Sequence, residues 1–195
     1  MNKAEKTRQY IIERAAPIIN RKGMAGTSIT DIMDATRLAK GGIYGNFESK
    51  DEICAEAFNF LVEKLSSSID AKLATKKTYR EKLFELLDLH VGLVGKETSA
   101  GCPMLNFGSE ADDTDPLVKQ QVNKSIIACQ NRISKLIKSG IEAGEFDKKW
   151  DPTVFSAKAF AMMEGAIFIS KIQNNTRQMR MIIHELKNEI EAHTK

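Results

Sequence analysis

Six helix starts are written into this chain as short polar signals, and no stretch between them alternates apolar and polar residues as a half-buried strand would. Ser28-Ile29-Thr30-Asp31, Ser49-Lys50-Asp51-Glu52 and Thr78-Tyr79-Arg80-Glu81 each set a hydroxyl three residues ahead of an acid. In that spacing each side chain satisfies a backbone amide that the first turn leaves without a partner. Cys102-Pro103, Asp115-Pro116 and Asp151-Pro152 place proline where a helix start has no use for the missing N–H. The pattern predicts an all-α fold with nine helices, over 4–22, 28–35, 39–46, 49–74, 78–95, 103–111, 115–143, 151–173 and 176–193.

Charge narrows the function. Residues 1–50 hold nine Lys/Arg against five Asp/Glu, a net +4, whereas the remainder holds 20 against 21, a net −1. A basic segment on a near-neutral body is what binding to a phosphate backbone requires. It is also what a solvated face, or a surface for an anionic membrane or protein partner, would look like. No nucleophile and base, paired carboxylates or phosphate loop stand at a recognisable spacing, so no enzyme is read here. Three cysteines without a Cys-x-x-Cys pair and three scattered histidines complete neither a disulfide framework nor a zinc module. The acidic run Glu110, Asp112, Asp113, Asp115 reads as a solvated loop with no metal, and no cofactor is implied. No leader and no apolar run long enough to span a bilayer is recognised, which makes the cytoplasm the expected location and leaves no membrane partner.

The chemistry-bearing stretch is 27–50. Two short helices joined by a tight connection fit a helix-turn-helix. Ile29, Ile32 and Met33 in the first and Ile43 and Phe47 in the second face inward, leaving Lys40, Gly41, Tyr44 and Asn46 outward. A helix presenting a lysine, a tyrosine, an amide and bare glycine backbone can enter a major groove closely. The run Thr-Ser-Ile-x-x-Ile, followed by Ala-Lys-Gly-x-Ile-Tyr-x-x-Phe-x-Ser-Lys-x-Glu, resembles the signature of the tetracycline-repressor (TetR) family of regulators. Upstream, Ala15-Ala16-Pro17-Ile18-Ile19 and Lys22-Gly23 also fit.

The resemblance implies a helix-turn-helix DNA-binding domain over 1–48 and an effector-binding and dimerisation domain over 49–195. It implies a homodimer on double-stranded, pseudo-palindromic operator DNA, released by a small-molecule effector. Thr27, Ser28, Tyr44 and Lys50 match positions that hold the DNA backbone, and Lys40, Gly41, Gly42, Gly45 and Asn46 occupy the recognition helix. Gly42 and Gly45 stand where bulkier residues are usual, Asn46 where histidine is common. Arg37, counted with the DNA-binding residues, stands where the turn has glycine.

In the second domain the resemblance implies a cavity, with Phe84, Leu87, His90, Val91, Met104, Phe107, Ile126, Phe160, Met163 and Phe168 as candidate lining; a Met and Phe stripe at helical spacing is equally a core. Gly101-Cys102-Pro103 makes Cys102 a candidate helix cap whose free amides favour a thiolate, with Lys171 as a cationic partner. A Gly-Cys step here, at the start of the sixth helix, also occurs in TetR-family members that sense electrophiles or oxidants, and in relatives where it is a turn. Residues 154–169 are apolar nearly all round and 179–190 on one side, so a two-fold dimer is expected through Phe155, Met162, Ile169, Met179, Ile182, Ile183, Leu186 and Ile190. Packing of both helices in a single-chain core is the alternative.

Overall fold

The computed structural model describes residues 2–94 and 99–195. Among them the chain is all-α, with α1 (Lys3–Lys22), α2 (Ile29–Thr36), α3 (Lys40–Tyr44), α4 (Lys50–Ala74), α5 (Tyr79–Leu89), α6 (Pro103–Ala111), α7 (Pro116–Glu142), α8 (Pro152–Gln173) and α9 (Arg177–Ala192). A short 3-10 turn, His90–Leu93, follows α5.

The polar start signals work locally. The Ser28 and Thr78 hydroxyls each accept from a backbone amide, of Asp31 and Glu81, at 3.1 Å, and those acids accept from the Ser28 and Thr78 amides in return. Asp115 accepts from the Leu117 and Val118 amides at 3.0 Å, and Asp151 from those of Thr153 and Val154. Two helices end sooner than periodicity predicts, by one device. The Asn46 side-chain amide donates to the Gly42 carbonyl at 2.8 Å, taking the acceptor that another turn of α3 would use. His90 Nδ1 sits 2.8 Å from the Leu86 carbonyl at the end of α5 and does the same there. The α-helix predicted to 95 therefore tightens at 90, and residue 95 lies outside the described residues.

Two compact units form. Unit 1 is Met1–Leu65 with Pro103–Asn123, and unit 2 is Ser66–Cys102 with Lys124–Lys195. In unit 1, α1 packs on α2 and α6 over Ile11, Ile12, Ala15, Ile19, Ile32, Ile43 and Phe47. The Phe58 and Phe107 rings meet at 5.3 Å. In unit 2, α8 lies against α9 and the 3-10 turn, and α5 against α9. Trp150 stacks on His193 at 4.9 Å and meets Phe146 and Phe155 edge-on, anchoring the end of α9.

The expectation that no apolar run is long enough to span a bilayer is corrected by α8, which is long and apolar enough by length and composition. It is a core helix. Phe155, Ala159, Met163, Ala166 and Ile167 are buried against the unit's own neighbours, and Lys158, Glu164 and Lys171 interrupt it.

Candidate functional site

The helix-turn-helix is built from α2 and α3. Arg37 closes α2 in the left-handed region at φ 58°, its amide bonded to the Met33 carbonyl at 2.8 Å. A glycine would adopt that conformation without strain, so the arginine holds it at a cost. α3 has five residues and buries Ile43, with Phe47 buried just beyond it. Lys40, Gly41, Tyr44 and Gly45 are exposed, and the Lys40 ammonium lies 5.9 Å from the Tyr44 ring centre. A Cβ built on Gly41 meets nothing within 4 Å, and one on Gly42 meets only Leu38, at ordinary contact distance. Packing inside the protein therefore asks for no glycine at either position, yet each weakens the helix by about 1 kcal/mol relative to alanine. The bare backbone faces outward.

The other expected DNA contacts are partly engaged already. Thr27 is buried, its hydroxyl donating to the Gly23 carbonyl at 2.6 Å. Ser28 is exposed and spends its hydroxyl on Asp31. Lys50 Nζ donates to the Met24 and Thr27 carbonyls at 2.9 and 3.2 Å. Asn46 closes α3 through its side-chain amide, so pairing with an adenine edge requires that bond to open. Asp31 is held ionised, its carboxyl pushed down to about 2 by the Lys22 ammonium at 2.5 Å and by the Ser28 amide and hydroxyl.

Three supporting residues gave no local signal. Arg8 on α1 pairs with Glu52 and Glu56, donates to the Asn46 carbonyl and lies over the Phe47 ring at 4.1 Å, fixing the end of α3. Tyr10 donates its hydroxyl to the Thr36 carbonyl at 3.0 Å. Glu110 at the end of α6 accepts from the Met24 and Ala25 amides, both at 2.9 Å. The 23–27 loop thus sits between the Glu110 carboxylate and the Lys50 ammonium, while Asn106 ties α6 to Asn20 at 2.9 Å. Gly23 has φ 86°, and a side chain there would collide with Glu110.

Residues 11–57 match the bacterial regulatory proteins of the tetR family, and residues 80–186 match the tetracyclin repressor-like C-terminal domain. The chain belongs to the TetR family. A TetR-family transcriptional regulator from Cytophaga hutchinsonii is 34% identical across 100% of this chain and 98% of that one, with a TM-score of 0.91. One from Chloroflexus aurantiacus J-10-FL is 32% identical with the same coverage and a TM-score of 0.92. The HTH-type transcriptional regulator TtgR of Pseudomonas putida is 22% identical over 174 residues, 84% of this chain and 80% of that protein. This TetR-family chain is accordingly a DNA-binding transcriptional regulator of helix-turn-helix type.

The remaining expected residues of this regulator are divided. Met104 and Phe107 belong to unit 1 and are buried, Phe107 against Phe58, so their side chains fill that core. In unit 2, Leu87 and Met163 are buried and His90, Val91, Ile126 and Phe160 half-buried. Phe84 lies under the Arg80 guanidinium and Lys187 ammonium at 4.6 and 5.0 Å, and Phe168 is 55% exposed. Cys102 is 1% exposed and donates its thiol hydrogen to the Glu164 carboxyl. Lys171 Nζ is bonded to the Ala100 carbonyl at 2.5 Å, packed against Gly101, whose φ is 91°. Burial pushes the Cys54 thiol up to about 11 and raises that of Cys129.

Among the residues expected at a dimer interface, Phe155, Met179, Ile183, Leu186 and Ile190 are buried within the chain itself, because the α9 stripe faces α8. Met162, Ile169 and Ile182 are half-buried. The apolar surface left uncovered is the opposite side of α8, Val154 (63% exposed), Ala161, Gly165, Phe168 and Ile172 (73%), together with Met181 on α9.

Proposed function

We propose that this chain acts as a homodimeric repressor whose two α3 helices enter successive major grooves of a pseudo-palindromic operator, and that an apolar or planar small molecule in unit 2 releases it. The observation that carries the DNA contact is the bare Gly41–Gly42 face beside Lys40 and Tyr44: no internal packing requires it, and close approach of a phosphate backbone does. Arg37, Ser28 and Lys50 flank it, with Lys50 exchanging loop carbonyls for phosphate or holding the loop that contacts it.

The dimer reading moves to the uncovered side of α8. Val154, Ala161, Gly165, Phe168 and Ile172 recur at spacings of three, four and seven along one face. No atom lies near a Cβ built on Gly165, so a second helix can approach closely there. An exposed apolar stripe of this kind is what a two-fold partner covers. Release by a bound ligand is favoured over modification of Cys102, because that thiol is shut from solvent and faces an acid.

The test is selection of genomic fragments by the purified protein, with anisotropy in excess competitor DNA and sedimentation of the free protein. Specific binding by a dimer supports the reading. A monomer indifferent to every duplex at low salt refutes it. Ile172→Glu should produce monomers that bind operator only weakly; a dimer that survives the charge would place the interface elsewhere.

A further inference from the structure

Glu164 is a carboxylate that the fold leaves half-served. It projects from α8 within unit 2, where one oxygen accepts the Cys102 thiol hydrogen. The other, Oε2, is shut away from water and meets no hydrogen-bond partner among the described residues. A buried acceptor left in that state is costly, and native proteins retain such groups where something else completes them. The cost is visible in the group itself, since burial raises the Glu164 carboxyl from its ordinary value.

The surroundings indicate what would complete it. The 3-10 turn that carries His90 packs against α8. Burial lowers the pKa of His90 and raises those of Cys129 and Glu164, yet all three residues are only half-buried. Ile126 and Phe160 of the same unit, also half-buried, offer apolar and aromatic surface. Acceptors are available in Glu164 Oε2 and, when Nδ1 donates to the Leu86 carbonyl at 2.8 Å, in His90 Nε2. Among the described residues of this unit, Lys171 is committed to the Ala100 carbonyl and Arg132 to Ser66 and Asp70. Among the described residues, nothing donates to Glu164 Oε2.

We propose that the effector of this regulator is an aromatic or apolar molecule carrying a protonated amine, whose N–H donates to Glu164 Oε2. This rests on the ligand-released reading above and specifies the chemistry of that ligand. The polar end is directed by Glu164 and the apolar body lies toward Phe160 and Ile126.

The probes are phenethylammonium, its neutral counterpart phenethyl alcohol and the similarly sized anion hydrocinnamate, titrated calorimetrically into the intact wild-type protein and tested for release of selected DNA. The expected result is tighter binding of the cation than of either other compound, by about tenfold, the order for one hydrogen bond to a buried charge. Glu164→Gln should bring cation and alcohol within about threefold while leaving operator affinity unchanged. The wild-type ranking is a test that needs no variant to fold. Equal or better binding of the alcohol or anion, with release of DNA, overturns the cationic assignment and leaves ligand release standing. Cation preference that persists in Glu164→Gln removes Glu164 from the site. Failure of all three compounds to bind or release DNA overturns both readings.

Discussion

Replacing Gly41 by alanine should make the protein more stable and a worse DNA binder. The added methyl group meets no atom within 4 Å, and the position is helical, so nothing in the folded state resists it. Alanine in place of glycine in a helix is worth about 0.5–1 kcal/mol, partly through a less flexible unfolded chain. For a protein of this size that is a rise of about 1–4 °C in Tm, read by circular dichroism. On DNA the same methyl group occupies the layer through which the α3 backbone meets the phosphates. Losing one charge-assisted hydrogen bond there costs about 1.5–3 kcal/mol, a tenfold or greater rise in Kd by fluorescence anisotropy at fixed salt. The opposite signs carry the test, because a folding defect would move both readouts down together. Operator affinity within twofold of wild type, alongside the raised Tm, would refute the assignment of the bare face to DNA.

Lys50→Ala should weaken binding to all sequences and reduce the salt slope by about one unit; an unchanged slope would confine Lys50 to holding the Met24 and Thr27 carbonyls. Glu110→Ala should cost about 1 kcal/mol, since the amides it releases are only partly shielded from water, and should speed hydrogen exchange at Met24 and Ala25 specifically. Protection of those amides unchanged from wild type would contradict the clamp. Asp31 titrates lower in the folded chain than its ordinary 3.8, so its contribution is complete above that value and is lost as pH falls toward about 2. Asp31→Asn should therefore flatten the acid limb of the denaturation profile over that window and leave the neutral region little changed; an identical acid limb would show the cap to be inert.

The helices were legible because their starts are local: a hydroxyl and an acid three residues apart either meet or do not, whatever the rest of the chain does. The outward set Lys40, Gly41 and Tyr44 was legible for the same reason, since burying Ile43 and Phe47 fixes the face that remains. What escaped are pairings across long separations. Glu110 lies 86 residues from Met24, and the acidic run around it reads as solvated loop until the fold brings it to two amides. Arg8 gave no sign that it would reach Glu52, Glu56 and the Asn46 carbonyl. The α9 stripe of Met179, Ile183, Leu186 and Ile190 was correctly apolar, but periodicity marks a face as covered without saying what covers it. Here it is α8 of the same chain, and the uncovered surface is the other side of that helix. The partner of Cys102 was not legible either, because Glu164 is on another helix.

A five-residue helix rich in glycine has too little hydrogen bonding to hold its own shape in water. That shape is imposed from beneath, by the burial of Ile43 and Phe47 and by the Arg8 guanidinium gripping the following carbonyl. Geometry and outward chemistry are therefore set by different residues. On the proposed docking of α3, exchanging Lys40 changes what the duplex meets without disturbing the support beneath, which makes this segment a natural place to graft new target preferences.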